Sequence, residues 1–129
     1  SPLWVGGGVT FGPQPRSHAK DMPRKARRLA IRCALSAKVA AGELVIVDGL
    51  NFAEPKTKNA LDMLKGFEAT EKKALIITDG ENDNIEKSSR NIEKVKAISN
   101  DCLNVFDILN AEKVLLAKDA VAKIEEVLA

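Results

Sequence analysis

From residue 43 onward, short apolar runs alternate with amphipathic stretches. Glu43–Asp48 (ELVIVD), Lys73–Asp79 (KALIITD), Lys94–Ser99 (KVKAIS) and Lys113–Ala117 (KVLLA) are too short for helices and rich in branched residues, so they read as buried strands. Between them, Thr57–Phe67 sets Ala60, Leu61, Leu64 and Phe67 on one helical face. Asn84–Asn91 and Leu103–Leu109 read as short helices, and Asp119 as the cap of a last helix carrying Val121, Ile124, Val127 and Leu128. Upstream, Pro23 suits the first position of a helix that runs to Gly42. On that helix Ala26, Leu29, Ala30, Cys33, Ala37 and Ala40 share one face. Ile31, Leu35 and Val39 lie opposite, so its C-terminal half is expected to be buried all round and its N-terminal half to be a basic surface. Continuous apolar strands alternating with helices predict an α/β fold, a four-stranded parallel sheet with helices on both faces and right-handed crossovers.

Residues 1–22 break this pattern. Gly6, Gly7, Gly8 and Gly12, with Pro2, Pro13 and Pro15, exclude a regular helix or a central strand. The division expected is therefore an extended arm, 1–22, and one globular domain, 23–129. The arm carries Trp4, the only tryptophan, and Phe11. A chain of 129 residues is the length of a single domain and buries enough surface for a real core. No apolar run approaches the roughly 20 residues of a membrane span, and no secretory signal pattern is present. Cys33 and Cys102 sit in apolar context and read as small core residues of a reducing compartment.

Charge changes the picture more than composition does. Residues 1–38 hold eight Lys/Arg against one acid, Asp21, whereas residues 39–129 hold twelve basic and seventeen acidic residues. A basic end on an acidic body is the asymmetry of a protein that grips a polyanion with one end. Arg24, Arg28 and Arg32 recur at i, i+4 and i+8, flanked by Lys25 and Arg27, at the helix end whose dipole repels cations. An external phosphate would relieve that repulsion. In the arm, Arg16, His18 and Lys20 suit phosphate contact, while Trp4 and Phe11 suit stacking on unpaired bases. Gly6, Gly7 and Gly8 let the backbone approach closely. Such an arm has little reason to order alone and is expected to fold on binding. Lys56 and Lys58 are weaker candidates, as readily explained by solubility.

Enzymatic readings have little material. Open parallel sheets bind ligands beyond the carboxyl ends of their strands, where Asp48 and Asp79 fall, but each precedes a glycine and suits a turn. A small nucleotide- or metal-binding domain built on these two acids is the alternative, and a protein-interaction module using the acidic body is a third reading. The glycines neither follow a strand nor open a helix, there is no phosphate-loop pattern, and Asp79–Asn84 (DGENDN) lacks calcium-loop spacing. His18 is the only histidine. No metal, cofactor or catalytic residue is expected.

Ser1-Pro2-Leu3-Trp4, Gly6-Gly7-Gly8-Val9, Phe11-Gly12-Pro13 and Pro15-Arg16 resemble the signature of the bacterial-type large-subunit ribosomal protein L-four family. The likeness continues in order through Lys25-Ala26-Arg27-Arg28-Leu29-Ala30, Ala34-Leu35-Ser36, Pro55-Lys56-Thr57-Lys58, Ala74-Leu75-Ile76-Ile77-Thr78, Ser89-Arg90-Asn91 and Asn104-Val105-Phe106-Asp107-Ile108-Leu109. The resemblance implies a three-layer α/β/α domain and a non-catalytic constituent of the cytoplasmic ribosome. Its partners would be large-subunit ribosomal RNA and neighbouring ribosomal proteins, with a role in assembly and, in some members, repression of their own operon. It implies that Trp4, Gly6, Gly7, Gly8, Phe11 and Arg16 form the returning base of a long loop, and that Arg24–Arg32 faces RNA. It places the family's N-terminal helix and the outgoing half of the loop before Ser1, which would leave an apolar face open to self-association.

Overall fold

The computed structural model describes residues 1–129. Its elements are α1 (Arg24–Ala40), β1 (Leu44–Val47), α2 (Thr57–Gly66), β2 (Ala74–Thr78), α3 (Asp83–Ser89) and β3 (Val95–Ser99). A 3₁₀ turn (Asn100–Cys102), α4 (Val105–Asn110), β4 (Lys113–Ala117) and α5 (Lys118–Leu128) follow. The sheet is wholly parallel, in the order β1-β4-β2-β3, with Ile46 opposite Leu116 and Ile76 between Leu115 and Ala97. The steps β1→β2 and β2→β3 run one way across the sheet and β3→β4 runs back. Right-handed crossovers therefore put α2 and α3 on one face and α4 on the other. The contacts agree: α2 touches α3, and α1 touches α4 and α5. No helix is long and apolar enough to cross a membrane.

The core sits where that topology covers both sides of the sheet. Every residue of β2 is buried, and Val114 and Leu115 of β4 are fully so, while the edge strands β1 and β3 are only partly covered. Leu64 of α2, Ile85 of α3 and Ile108 of α4 close over them. The short helices are held by their caps: the Asn82 side chain accepts the Ile85 N–H at 3.4 Å and Asn104 accepts the Asp107 N–H at 2.8 Å.

Several expectations need correction. α1 is not buried all round: only Ala34 and Lys38 are buried, with Ile31 and Leu35 half-buried. The face of Ala26, Leu29, Ala30, Cys33, Ala37 and Ala40 is solvent-exposed. Two apolar faces competed for one sheet: Ile31 and Leu35 pack against the core and gain part of the about 1.5–3 kcal/mol that full burial of such a side chain is worth, whereas Leu29 and Val39 stay more than half exposed. Cys33 and Cys102 are exposed, not core. Cys33 lies on the exposed face of α1, and Cys102 ends the 3₁₀ turn that precedes α4. Pro23 is the cap residue of α1, not its first turn, with φ −56° and ψ 138°. Asp119 lies inside the first turn of α5, which starts directly from β4 with Ala117 as an uncapped N-terminus.

Lys38 ties three elements together. Its ammonium donates to the Ala111 carbonyl at 2.6 Å and to Glu43 at 2.5 Å, joining the end of α1 to the start of β1 and the end of α4. An open groove of about 580 Å³ separates α1 from α5 over β1, walled by Leu35, Val39 and Val121 and floored by Ile46, which is 56% exposed.

Candidate nucleic-acid interface

Residues 1–23 form neither helix nor strand. Two turns shape the leading end: the Trp4 N–H donates to the Ser1 carbonyl at 3.1 Å and the Gly7 N–H to the Trp4 carbonyl at 2.9 Å. A Cβ at Gly7 would run into the Ser1 carbonyl, so only glycine fits there. Gly6 takes a positive φ in the same turn, and Gly8 has open space around it. Trp4 is 76% exposed, and Phe11, also at positive φ, has its ring wholly in solvent. Leu3, Val5 and Val9 are equally uncovered. Residues 1–11 therefore carry large apolar side chains that take no part in the core. Arg16, His18 and Lys20 follow, all exposed.

At α1 the expected basic surface is present. Pro23 supplies no side-chain cap and the first turn holds no acid; the Pro23 carbonyl accepts only the Arg27 N–H, at 3.1 Å. The leading N–H groups of α1 thus face solvent among Arg24, Lys25, Arg27 and Arg28, all exposed. Arg32 stands apart from its row. Its guanidinium donates to the Leu128 carbonyl at the end of α5, a cation at the favourable end of that helix dipole.

Ion pairing divides the molecule. The pairs are Lys38–Glu43, Lys56–Glu54, Lys65–Asp62, Lys87–Asp83, Lys96–Asp107, Lys118–Asp48 and Lys123–Asp79. All of them lie in the body or at its junction with α1. Arg16, Lys20, Arg24, Lys25, Arg27, Arg28 and Arg32 form none.

The alternative site at Asp48 and Asp79 does not assemble. Lys118 approaches Asp48 at 3.6 Å and Lys123 approaches Asp79 at 2.7 Å. The Asp79 hydrogen bond, with its charge, raises the pKa of Lys123. A polar pocket of about 110 Å³ at these strand ends is lined by Asp79 and Asp119 but not by Asp48. The acids are consumed as partners of lysines. Elsewhere, burial would raise the pKa of Asp107, but hydrogen bonds from Lys96 and Asn104 and the Lys96 charge outweigh it and lower it. That cluster braces α4 against β3.

Sequence reasoning missed one feature beside the basic surface. Where α1 passes α5 and the 3₁₀ turn, a cleft of about 280 Å³ opens, lined by Arg27, Arg28, Ile31, Asp101, Leu103 and Val127 among others. Its walls come from three separate segments, 27–31, 100–103 and 123–128, so no local motif could have pointed to it.

Fold and surface together define a parallel α/β/α domain with a cluster of cations, none paired with an acid, at residues 16–32. The sequence profile of the Ribosomal protein L4/L1 family matches residues 1–127, and the chain belongs to that family. Two relatives, each named "Large ribosomal subunit protein uL4", come from Halothermothrix orenii (47% identical) and Moorella thermoacetica (46% identical), over all 129 residues of this chain. The chain spans 62% of the length of each.

Proposed function

We propose that this chain is a structural, non-catalytic constituent of the large ribosomal subunit, and that residues 1–32 bind ribosomal RNA and so support subunit assembly. The observation that carries this reading is the division of charge: six of the twelve cations of residues 39–129 pair with acids, and none of the seven of residues 16–32 does. Arg16, Lys20, Arg24, Lys25, Arg27 and Arg28 neutralise phosphates, one of them at the open N–H groups of α1. Trp4 and Phe11 stack on unpaired bases, and the turn at Gly7 sets where the indole stands. His18 adds a polar contact. Arg32 contributes mainly by bracing α1 against α5.

The test is filter binding of the chain to large-subunit ribosomal RNA across a salt series. Each neutralised phosphate contributes about −0.7 to −0.9 to the slope of log K against log salt, so a slope of about −4 to −5 is expected. Arg24→Ala/Lys25→Ala/Arg28→Ala should flatten it by about 2. Binding indifferent to salt, or unchanged in the triple variant, contradicts the reading. Its protein partners are neighbouring proteins of the subunit. Self-association of the isolated chain would seat on the groove at Val39 and Ile46, and a sedimentation coefficient independent of concentration argues against it.

A further inference from the structure

We infer that the cleft between α1, the 3₁₀ turn and α5 receives one unstacked base of the bound RNA, and that this base is guanine. The inference rests on the RNA-binding reading above. The cleft, at about 280 Å³, is smaller than the roughly 300–1,000 Å³ of sites for drug-sized ligands and suits a single ring system. Ile31, Leu103 and Val127 give it apolar walls for the flat faces of a base. Arg27 and Arg28 line it with no acid partner, in reach of the phosphates on either side of an extruded nucleotide.

The polar groups inside the cleft choose the occupant. Asp101 forms no ion pair within the protein, although its charge is felt by Lys123. The Asn100 Oδ1 accepts the Gly80 N–H at 3.3 Å, which leaves its amide N–H groups as donors without a partner. The lining thus holds a carboxylate without an ion-pair partner and an amide donor, the two kinds of group that complement the guanine edge, whose N1–H and N2–H donate and whose O6 accepts. Lys123, also in the lining, is held by Asp79, so a phosphate seated within would meet the Asp101 carboxylate and apolar walls, with Arg27 and Arg28 as the unpaired cations of the lining. An apolar side chain of a protein partner would leave Asp101 and Asn100 unmatched.

The experiment uses the full chain and the fragment of large-subunit ribosomal RNA that it protects from ribonuclease, probed with a reagent specific for the guanine N1/N2 edge. One guanine reactive in free RNA is expected to become protected. Val127→Trp, at an exposed position, fills the cleft; Asp101→Asn removes the carboxylate from an exposed turn. Both should unfold like the parent, restore reactivity of that guanine and weaken binding about tenfold or more, with the salt slope unchanged. Replacing that guanine by adenine should weaken the parent and leave Val127→Trp unaffected. Salt-sensitive binding by both variants at parental affinity, with no guanine protected, overturns the inference and leaves the RNA reading standing. Absence of salt-sensitive RNA binding by the parent overturns both.

Discussion

The first 32 residues and the sheet behind them solve opposite problems. In the body, branched side chains are buried and the short helices carry Asn82 and Asn104 as caps. Its lysines largely find acids or carbonyls, as Lys73 does at Asn110 and Lys113 at the Phe67 carbonyl. In the leading segment, Leu3, Trp4, Val5, Val9 and Phe11 stay in water, and α1 starts without a cap and among like charges. Local propensity, burial and electrostatics agree in one region and conflict in the other. Conflict of that kind is expected at functional or strained sites, which is why the RNA-binding reading is placed there.

The contrast is broken most severely from the body side. Leu115→Ala removes a fully buried side chain at the centre of the sheet and should cost about 2–5 kcal/mol in urea unfolding. The counterpart, Trp4→Ala, should leave the unfolding midpoint unchanged, since the indole touches no core. A Trp4→Ala variant that loses as much stability as Leu115→Ala would mean that the indole belongs to the domain. Next in size is Lys38→Ala. It strands the Ala111 carbonyl and Glu43 at a three-element junction and should cost about 1–3 kcal/mol, read in the same way.

Acid sharpens the comparison further. The Asp107 pKa is lowered from its ordinary 3.8 in the folded state, so its contribution is complete above about pH 4 and fades as the pH falls through the lowered value. The stability lost on acidification over that window should be smaller in Asp107→Asn, which is less stable at neutral pH by about 1–2 kcal/mol. Equal acid sensitivity in the two proteins would show that the Lys96–Asp107–Asn104 cluster does not govern this loss.

These sensitivities bear on what sequence could reveal. The central strands β2 and β4 were legible because both of their faces are covered, so continuous apolar runs stand out; the edge strands β1 and β3, only partly covered, kept enough branched residues to be read as strands. The basic end was legible because it is local. Burial on α1 was not: Ile31/Leu35 and the alanine face have similar periodicity, and only the sheet, built from later residues, decides between them. The fates of Arg32 and Asp101 were equally hidden, since one meets Leu128 and the other meets a cleft made with α1, both by tertiary packing alone. Asp48 and Asp79 looked available in sequence because Lys118 and Lys123, which neutralise them, arrive from α5.

The smallest effect carries the most weight for function. Arg24, Lys25 and Arg28 lie at the positive end of the α1 dipole, unpaired and close to one another. Replacing all three by alanine removes repulsion of about 0.3–1 kcal/mol per cation at low salt and adds helix propensity. The variant should therefore be slightly more stable than the parent by urea unfolding at low ionic strength. That gain should vanish in high salt, where the repulsion is already screened. The same variant should bind ribosomal RNA far more weakly. Opposite signs in the two measurements would separate a surface kept for a partner from one kept for the fold; a loss of stability would return these residues to the domain's own packing.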